Sequence, residues 1–274
     1  MPTDAQLLST FEALALAAGR AVMDAYIHGC EVGKKADASP VTAADREAER
    51  IILGGLRGFC PGIPVIAEEA VAAGDYPAAP GDEFLLVDPL DGTREFVDRR
   101  PEFTVNIALV RNGAPVLGVV YAPASRLLFS GLPGTAQRAD LAGEEEIASR
   151  RTVKVRSPGP IPVVVASRSH RSGETDRYVT ALPQAEIVSI GSSLKFCMLA
   201  AGEADIYPRF SKTMQWDTAA GDAILRAAGG MTCTLDGAPL IYEPRDALGA
   251  DRFANPWFVA KGADGVHFPV SIPG

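Results

Sequence analysis

The segment Phe84–Phe96, FLLVDPLDGTREF, ends an apolar run in two aspartates three residues apart, with a proline and a glycine beside them. The run Phe84–Val87 reads as a buried strand, so the fold must place two carboxylates where that strand ends. A surface turn is one reading, because Pro-x-Asp-Gly after an apolar run is ordinary turn chemistry. A second reading aims Asp88 into the crevice where open α/β sheets hold ligands. Pro89, which lacks an amide hydrogen for the ladder, then stops the strand, and Leu90–Thr93 turns the chain. In that geometry Asp88, the Leu90 carbonyl and Asp91 converge as hard oxygen donors, while the amides of Gly92 and Thr93 open a helix. Oxygen ligands suit Mg²⁺ and a helix N-terminus suits phosphate. A third reading is a module that grips phosphate without chemistry; it fails if the rest of the chain supplies a base.

The remaining sequence narrows the choice. A chain of 274 residues, 47% hydrophobic and 22% charged, can bury a large core as one big domain or two packed lobes. A formal net charge of -8 argues against a nucleic-acid polymer as partner. A small anionic substrate is allowed if bound cations reverse the charge locally. Cys30, Cys60, Cys197 and Cys233 lie far apart, without zinc spacing, and read as reduced thiols of a cytoplasmic protein. No signal peptide or transmembrane segment is expected. Monomer and dimer both stay open, as does peripheral attachment to the cytoplasmic face of the inner membrane.

Ser9 and Glu12, in capping-box spacing, predict the start of a first helix through STFEALALAAGRAVMDAY. A second helix is predicted from VTAADREAERIILGGLRGF, ending at Gly58. IPVIAEE and EFLLVD read as strands, as do two segments flanking the Asn112–Gly113 turn and the segment RLLFSGL. Near EEEIASRRTVKVRSPGPIP alternating charge gives way to a proline-glycine cluster, which places a boundary near residue 157. Beyond it strand and helix signals alternate. The expectation is an α+β lobe over 1–156 carrying most metal ligands and an α/β lobe over 157–274 carrying specificity residues.

Four acidic residues fall at element boundaries: Glu68 after a strand, Asp88 and Asp91 around the turn, and Asp217 opening the helix DTAAGDAILRAAGG. Glu68 could simply be solvated and Asp217 could be a helix N-cap. With only three histidines in the chain, clustered carboxylates fit Mg²⁺ better than zinc or copper. Asp45 has two readings. It stands in near capping-box spacing with Thr42, or it orients the Thr93 hydroxyl so that the pair removes a proton from the attacking water.

DPLDGT, with AEE upstream and WDTAAG downstream, resembles the lithium-sensitive, Mg²⁺-dependent phosphatases of the inositol monophosphatase superfamily. KADASPVTAAD, VDPLDGTREF, EFTVNIALV, LGVVYAP, SRSH, SIGSSLKFC and YPRF are most similar to its bacterial 3'(2'),5'-bisphosphate nucleotidases. The resemblance implies a layered αβαβα fold in two lobes and two or three Mg²⁺ ions. It implies metal ligation by Glu68, Asp88, the Leu90 carbonyl, Asp91 and Asp217, and water activation by Thr93 and Asp45. The Gly92 and Thr93 amides would hold the phosphate, with Glu68, Leu90, Asp91 and Asp217 also touching substrate. Lys34 stands where relatives usually have serine before KAD, which leaves the number of ions open.

The second lobe has to choose the substrate. Lys195 sits in a first helical turn, where a cation opposes the helix dipole unless an anion is near; a solvated lysine with its stem on the surface is the plainer reading. By resemblance, Ser192, Ser193, Lys195, His170 and Arg209 would surround a nucleotide, with His170 against the adenine. The implied reaction is hydrolysis of the 3'-phosphate of adenosine 3',5'-bisphosphate, its sulfated form being a second substrate. An inositol monophosphatase or fructose 1,6-bisphosphatase is the alternative.

Overall fold

The computed structural model describes residues 2–34, 40–143, 146–168, 172–182 and 184–263. Helix α1, Asp4–His28, begins at Thr3, whose hydroxyl accepts from the Gln6 amide while the Gln6 side chain accepts from the Thr3 amide. The expected start at Ser9 and Glu12 therefore lies inside the helix. Thr3-x-x-Gln6 offers the same box one turn earlier, and an existing first turn adds later residues cheaply. Strands β1, Val32–Lys34, and β2, Pro40–Thr42, pair antiparallel. Helix α2, Ala43–Phe59, starts at Thr42 with Asp45 closing its capping box, and buries Ala48, Ile52 and Leu56 at helical spacing.

Strand β3, Val65–Ala67, runs straight into helix α3, Glu68–Ala72. Strand β4, Glu83–Asp91, continues through the proline that was expected to stop it, and helix α4, Thr93–Val97, follows. Its register against β5, Thr104–Arg111, passes from Asp88 opposite Asn106 to Asp91 opposite Thr104, so β4 carries an extra residue. Pro89 lies in that bulge, where a missing N–H costs no ladder bond. Asn112 and Gly113, both at positive φ, turn β5 into β6, Ala114–Ala122. Strands β7, Leu127–Leu132, β8, Thr135–Leu141, and β9, Ile147–Val153, complete a seven-stranded sheet in order β3-β4-β5-β6-β7-β8-β9. Neither β8 nor β9 was anticipated. On the sheet edge β9 exposes six of its seven residues, so no buried alternation marks it in the sequence.

Strand β10, Val163–Ser167, opens the second sheet, followed by helix α5, Gly173–Ala181, strand β11, Glu186–Ile190, helix α6, Leu194–Ala200, and strand β12, Ile206–Arg209. Helix α7 spans Ala219–Ala227, two residues later than expected, so Asp217 stands before it and Thr218 takes the cap position. Strands β13, Met231–Thr234, and β14, Phe258–Lys261, had no counterpart in the sequence reading. This sheet runs β11-β10-β12-β14-β13, parallel around β10 and antiparallel around β14. The expected boundary falls between Val153 and Val163, and we place the division into 1–156 and 157–274 there.

Three apolar interfaces hold the stack. Phe11, Val22, Ile52 and Leu56 of α1 and α2 meet Leu85, Val87 and Ile107 on one face of the seven-stranded sheet. Its other face packs Phe84, Leu86 and Val110 in one core with Phe196, Ile224, Leu225 and Phe258. Helix α5 covers the far side of the second sheet through Tyr178 and Val179 against Val164 and Ile206. The layers therefore run αβαβα. Among the described residues no helix is long and apolar enough to cross a membrane.

Helix α7 lies unusually close to β6 and β7. A methyl group at Gly118 would stand 2.3 Å from the Ala220 carbonyl oxygen, and one at Gly131 2.8 Å from Ile224 Cα. Both obstacles are backbone, so relief requires the helix to move. Gly118→Ala should cost roughly 1–3 kcal/mol, the usual penalty of overpacking, read as a lower urea midpoint. An unchanged midpoint would show that α7 can retreat freely.

Candidate active site

A cleft of about 1040 Å³ opens where the β4 bulge, the starts of α3, α4 and α6, and the end of β12 meet. Gly92 caps α4 at φ 93°, and a side chain there would press on the Glu102 carbonyl oxygen at 3.0 Å. Glycine is thus required for α4 to start immediately after the bulge.

Asp45 is 1% exposed and uses both oxygens. Oδ2 accepts from the Thr42 amide at 2.7 Å and the Thr42 hydroxyl at 2.6 Å. Oδ1 accepts from the Thr93 hydroxyl at 3.2 Å, and that hydroxyl also lies 3.1 Å from the Leu90 carbonyl oxygen. The two readings of Asp45 are therefore not exclusive: one oxygen caps α2 and the other faces Thr93.

Carboxylate oxygens of Glu68, Asp88 and Asp217 come within 4.8 Å of one another. Glu68 is the first residue of α3, held near α2 because Glu49 accepts from the next amide, that of Glu69, at 2.9 Å. Asp88 is buried, and its Oδ1 accepts from the Leu90 amide at 3.0 Å, which fixes the bulge. Asp217 Oδ2 accepts from the Thr213 hydroxyl at 2.7 Å and the Met214 amide at 2.8 Å, a loop anchorage in place of a helix cap. Asp91 shares the cleft; burial first, then the charge of Asp217, pushes its carboxyl above the usual range. Crowding like charges this way is unfavourable unless a cation joins them. The three side chains grouped here are all carboxylates, with no cysteine or histidine among them in the described residues, a donor set that suits a hard divalent ion.

Cations line the same cleft. Lys195 is 4% exposed, not solvated as the plainer sequence reading has it. Its Nζ donates to the Ser192 carbonyl oxygen at 2.6 Å and lies 5.3 Å from the Tyr207 ring centre, and burial lowers its pKa. Arg209 is 7% exposed; its Nη2 donates to the Lys212 carbonyl oxygen at 2.8 Å, while its buried Nε has no partner among the described residues. Ser192 borders the cleft at φ 51°, whereas Ser193 is 2% exposed and turned toward Asp91. His170 lies outside the described residues. Asn106 and Thr213, which hold Asp91 and Asp217, went unread in the sequence. Asn106 had a signal, as a polar residue inside the apolar strand TVNIALV.

Residues 4–264 match the model of the inositol monophosphatase family. The chain belongs to the inositol monophosphatase family. It is 46% identical over 247 residues to the 3'(2'),5'-bisphosphate nucleotidase CysQ of Shigella flexneri, covering 89% of this chain and 95% of that protein. The Haemophilus influenzae protein of the same name is 31% identical, with 93% of each covered. Among solved structures, CysQ from Bacteroides thetaiotaomicron superposes with a TM-score of 0.77 at 36% identity, over 94% of this chain and 98% of that one. An inositol monophosphatase from Anabaena superposes with a TM-score of 0.70 at 26% identity, over 95% and 92%.

As an inositol monophosphatase family member with this donor set, the protein should bind Mg²⁺ through the carboxylate group. Binding to the folded state alone adds about 2.7 kcal/mol of stability at a hundredfold excess over Kd, seen as a rise in Tm with added MgCl₂. Asp88→Asn should abolish that rise. A variant that still responds as the wild type does would place the ion elsewhere.

Proposed function

We propose that this enzyme removes the 3'-phosphate of adenosine 3',5'-bisphosphate, yielding AMP and inorganic phosphate, with two or three Mg²⁺ ions held by Glu68, Asp88, the Leu90 carbonyl, Asp91 and Asp217. The observation that supports this best is the pair of buried cations, Lys195 and Arg209, lining the same cleft as the carboxylates. A single phosphate monoester engages the carboxylate-held ions and has no use for a second, cationic subsite. A bisphosphate has. The names of the nucleotidase relatives agree with that chemistry. The sulfated nucleotide carries its extra charge at the same end and fits the same pattern.

Bound Mg²⁺ would supply Lewis acidity and neutralise charge on the phosphate. The chain's own groups account for the proton and the geometry. Water attacks phosphorus, a P–O bond forms, and the bond to the ribose 3'-oxygen breaks with its electron pair left on that oxygen, which takes a proton from solvent water to give the 3'-hydroxyl of AMP. Thr93 Oγ1 takes a hydrogen from the attacking water as its own passes to Asp45 Oδ1, 3.2 Å away. Three hydrogen bonds fix Asp45 as the acceptor, so little reorganisation accompanies the transfer. The amides of Gly92 and Thr93, in the first turn of α4 where helical acceptors are lacking, are available to phosphate oxygens.

Phosphate release from adenosine 3',5'-bisphosphate, its sulfated form, inositol 1-phosphate and fructose 1,6-bisphosphate at one Mg²⁺ concentration tests the assignment. The two nucleotides should lead in kcat/KM. Preference for either sugar phosphate would overturn it.

Asp45→Asn should keep its remaining oxygen on the two Thr42 donors and turn its amide toward Thr93. The variant then retains most of its Tm while kcat falls by about 10²–10⁴, the scale of general-base loss. Normal turnover with a lowered Tm would reduce Asp45 to a helix cap.

Lys195→Ala and Arg209→Ala should each cost about 1.5–3 kcal/mol in kcat/KM on the bisphosphate, the range of a hydrogen bond to a charged group. 3'-AMP, with no second phosphate, should lose far less. Equal losses on both substrates would remove the case for a distal phosphate subsite.

A further inference from the structure

We propose that Ser193 and Asn106 are positioning residues for the Asp91 carboxylate, and that Ser193, just before α6, ties the cation-bearing helix to the metal-holding turn; this rests on Asp91 being a metal ligand, as above. By resemblance Ser193 belongs to the nucleotide contacts. Its hydroxyl is occupied elsewhere. Ser193 Oγ lies 3.1 Å from Asp91 Oδ2 and 2.6 Å from the Asp217 carbonyl oxygen, and it accepts from Asn106 Nδ2 at 3.0 Å.

The direction of these bonds follows from donor counting. Asp91 and the carbonyl accept, so the single Ser193 hydrogen is shared between them, the shorter contact being to the Asp217 carbonyl. Asn106 then meets the hydroxyl lone pair with its NH₂ group, whose nitrogen is also 3.5 Å from Asp91 Oδ2. The reverse amide orientation would set an oxygen against two acceptors. Asn106 is fully buried on β5 opposite Asp88, and its Oδ1 has no partner among the described residues. A buried amide kept at that desolvation cost, in a strand otherwise suited to apolar packing, has its return in the two bonds at Nδ2. Both reach the same carboxylate oxygen or the hydroxyl attached to it, which orients the Asp91 plane and presents its other oxygen differently from a freely rotating group.

The connection crosses the layers. Asn106 and Asp91 belong to the seven-stranded sheet, whereas Ser193 immediately precedes α6, two residues from Lys195. A substrate phosphate drawn onto Lys195 therefore acts on the helix whose first hydroxyl orients Asp91.

Mg²⁺ titration by calorimetry on the full chain, without substrate, tests the idea. Ser193→Ala should raise the Mg²⁺ Kd about tenfold, the lower end of the effect of removing a ligand's hydrogen-bond partner, with the metal-free protein still folded at the titration temperature, though at a lower Tm because Asn106 loses a buried partner. A Kd within about twofold of wild type would overturn the proposal; so would a Kd change seen only together with loss of the metal-free fold. If the alanine variant does not fold, Ser193→Cys keeps the shape with a weaker donor and carries the same comparison. A parallel titration with AMP separates this from the substrate assignment. AMP that fails to bind wild type counts against the nucleotide reading, while the Mg²⁺ comparison still decides the role of Ser193.

Discussion

The extra residue in β4 is the constraint on which the site depends. A regular strand sends successive side chains to opposite faces, so Asp88 and Asp91 could not both serve one cleft in an unbroken ladder. The bulge at Pro89 resets the alternation, brings the Leu90 carbonyl to the Thr93 hydroxyl, and lets Gly92 start a helix at once. Everything else in the cleft is arranged around this corner. Asp45 reaches it through Thr93, Asp88 stiffens it through the Leu90 amide, and Ser193 approaches it from the start of α6.

An acidic chain that handles an anionic substrate faces an electrostatic conflict, and the cleft resolves it by local positive charge. Negative groups are concentrated at the bulge and at Asp217, where bound divalent ions would convert them into an attraction for phosphate. Fixed cations stand beside them on α6 and β12, buried enough to make each charge count. The surface can then stay net negative without repelling the ligand from the one place that matters.

How far this could be read from residues alone differs by kind. The carboxylate corner was legible through its resemblance to a family, since Pro-x-Asp-Gly after an apolar run reads equally well as a surface turn, and the Thr42–Asp45 spacing gave the capping use of Asp45 but not its bond to Thr93. Strand β9 was not, since an edge strand with exposed Arg150 and Arg151 shows neither alternation nor an apolar run. The start of α1 was misplaced because two boxes of equal spacing compete and only the earlier is used. Whether Lys195 was solvated or buried depended on what lay above α6, and the burial of Ser193 depended on a strand nearly ninety residues away. Long-range packing of that kind leaves no local trace.

Helix α7 completes a layer that begins much earlier in the chain. The seven strands are all present once Val153 has been made, but the strip bearing Gly118 and Gly131 waits for its covering helix until Ala219–Ala227 has left the ribosome. At about 5–20 residues per second the interval is several seconds. During synthesis that strip therefore stays open, and the two glycines leave in it the space that the helix backbone later fills.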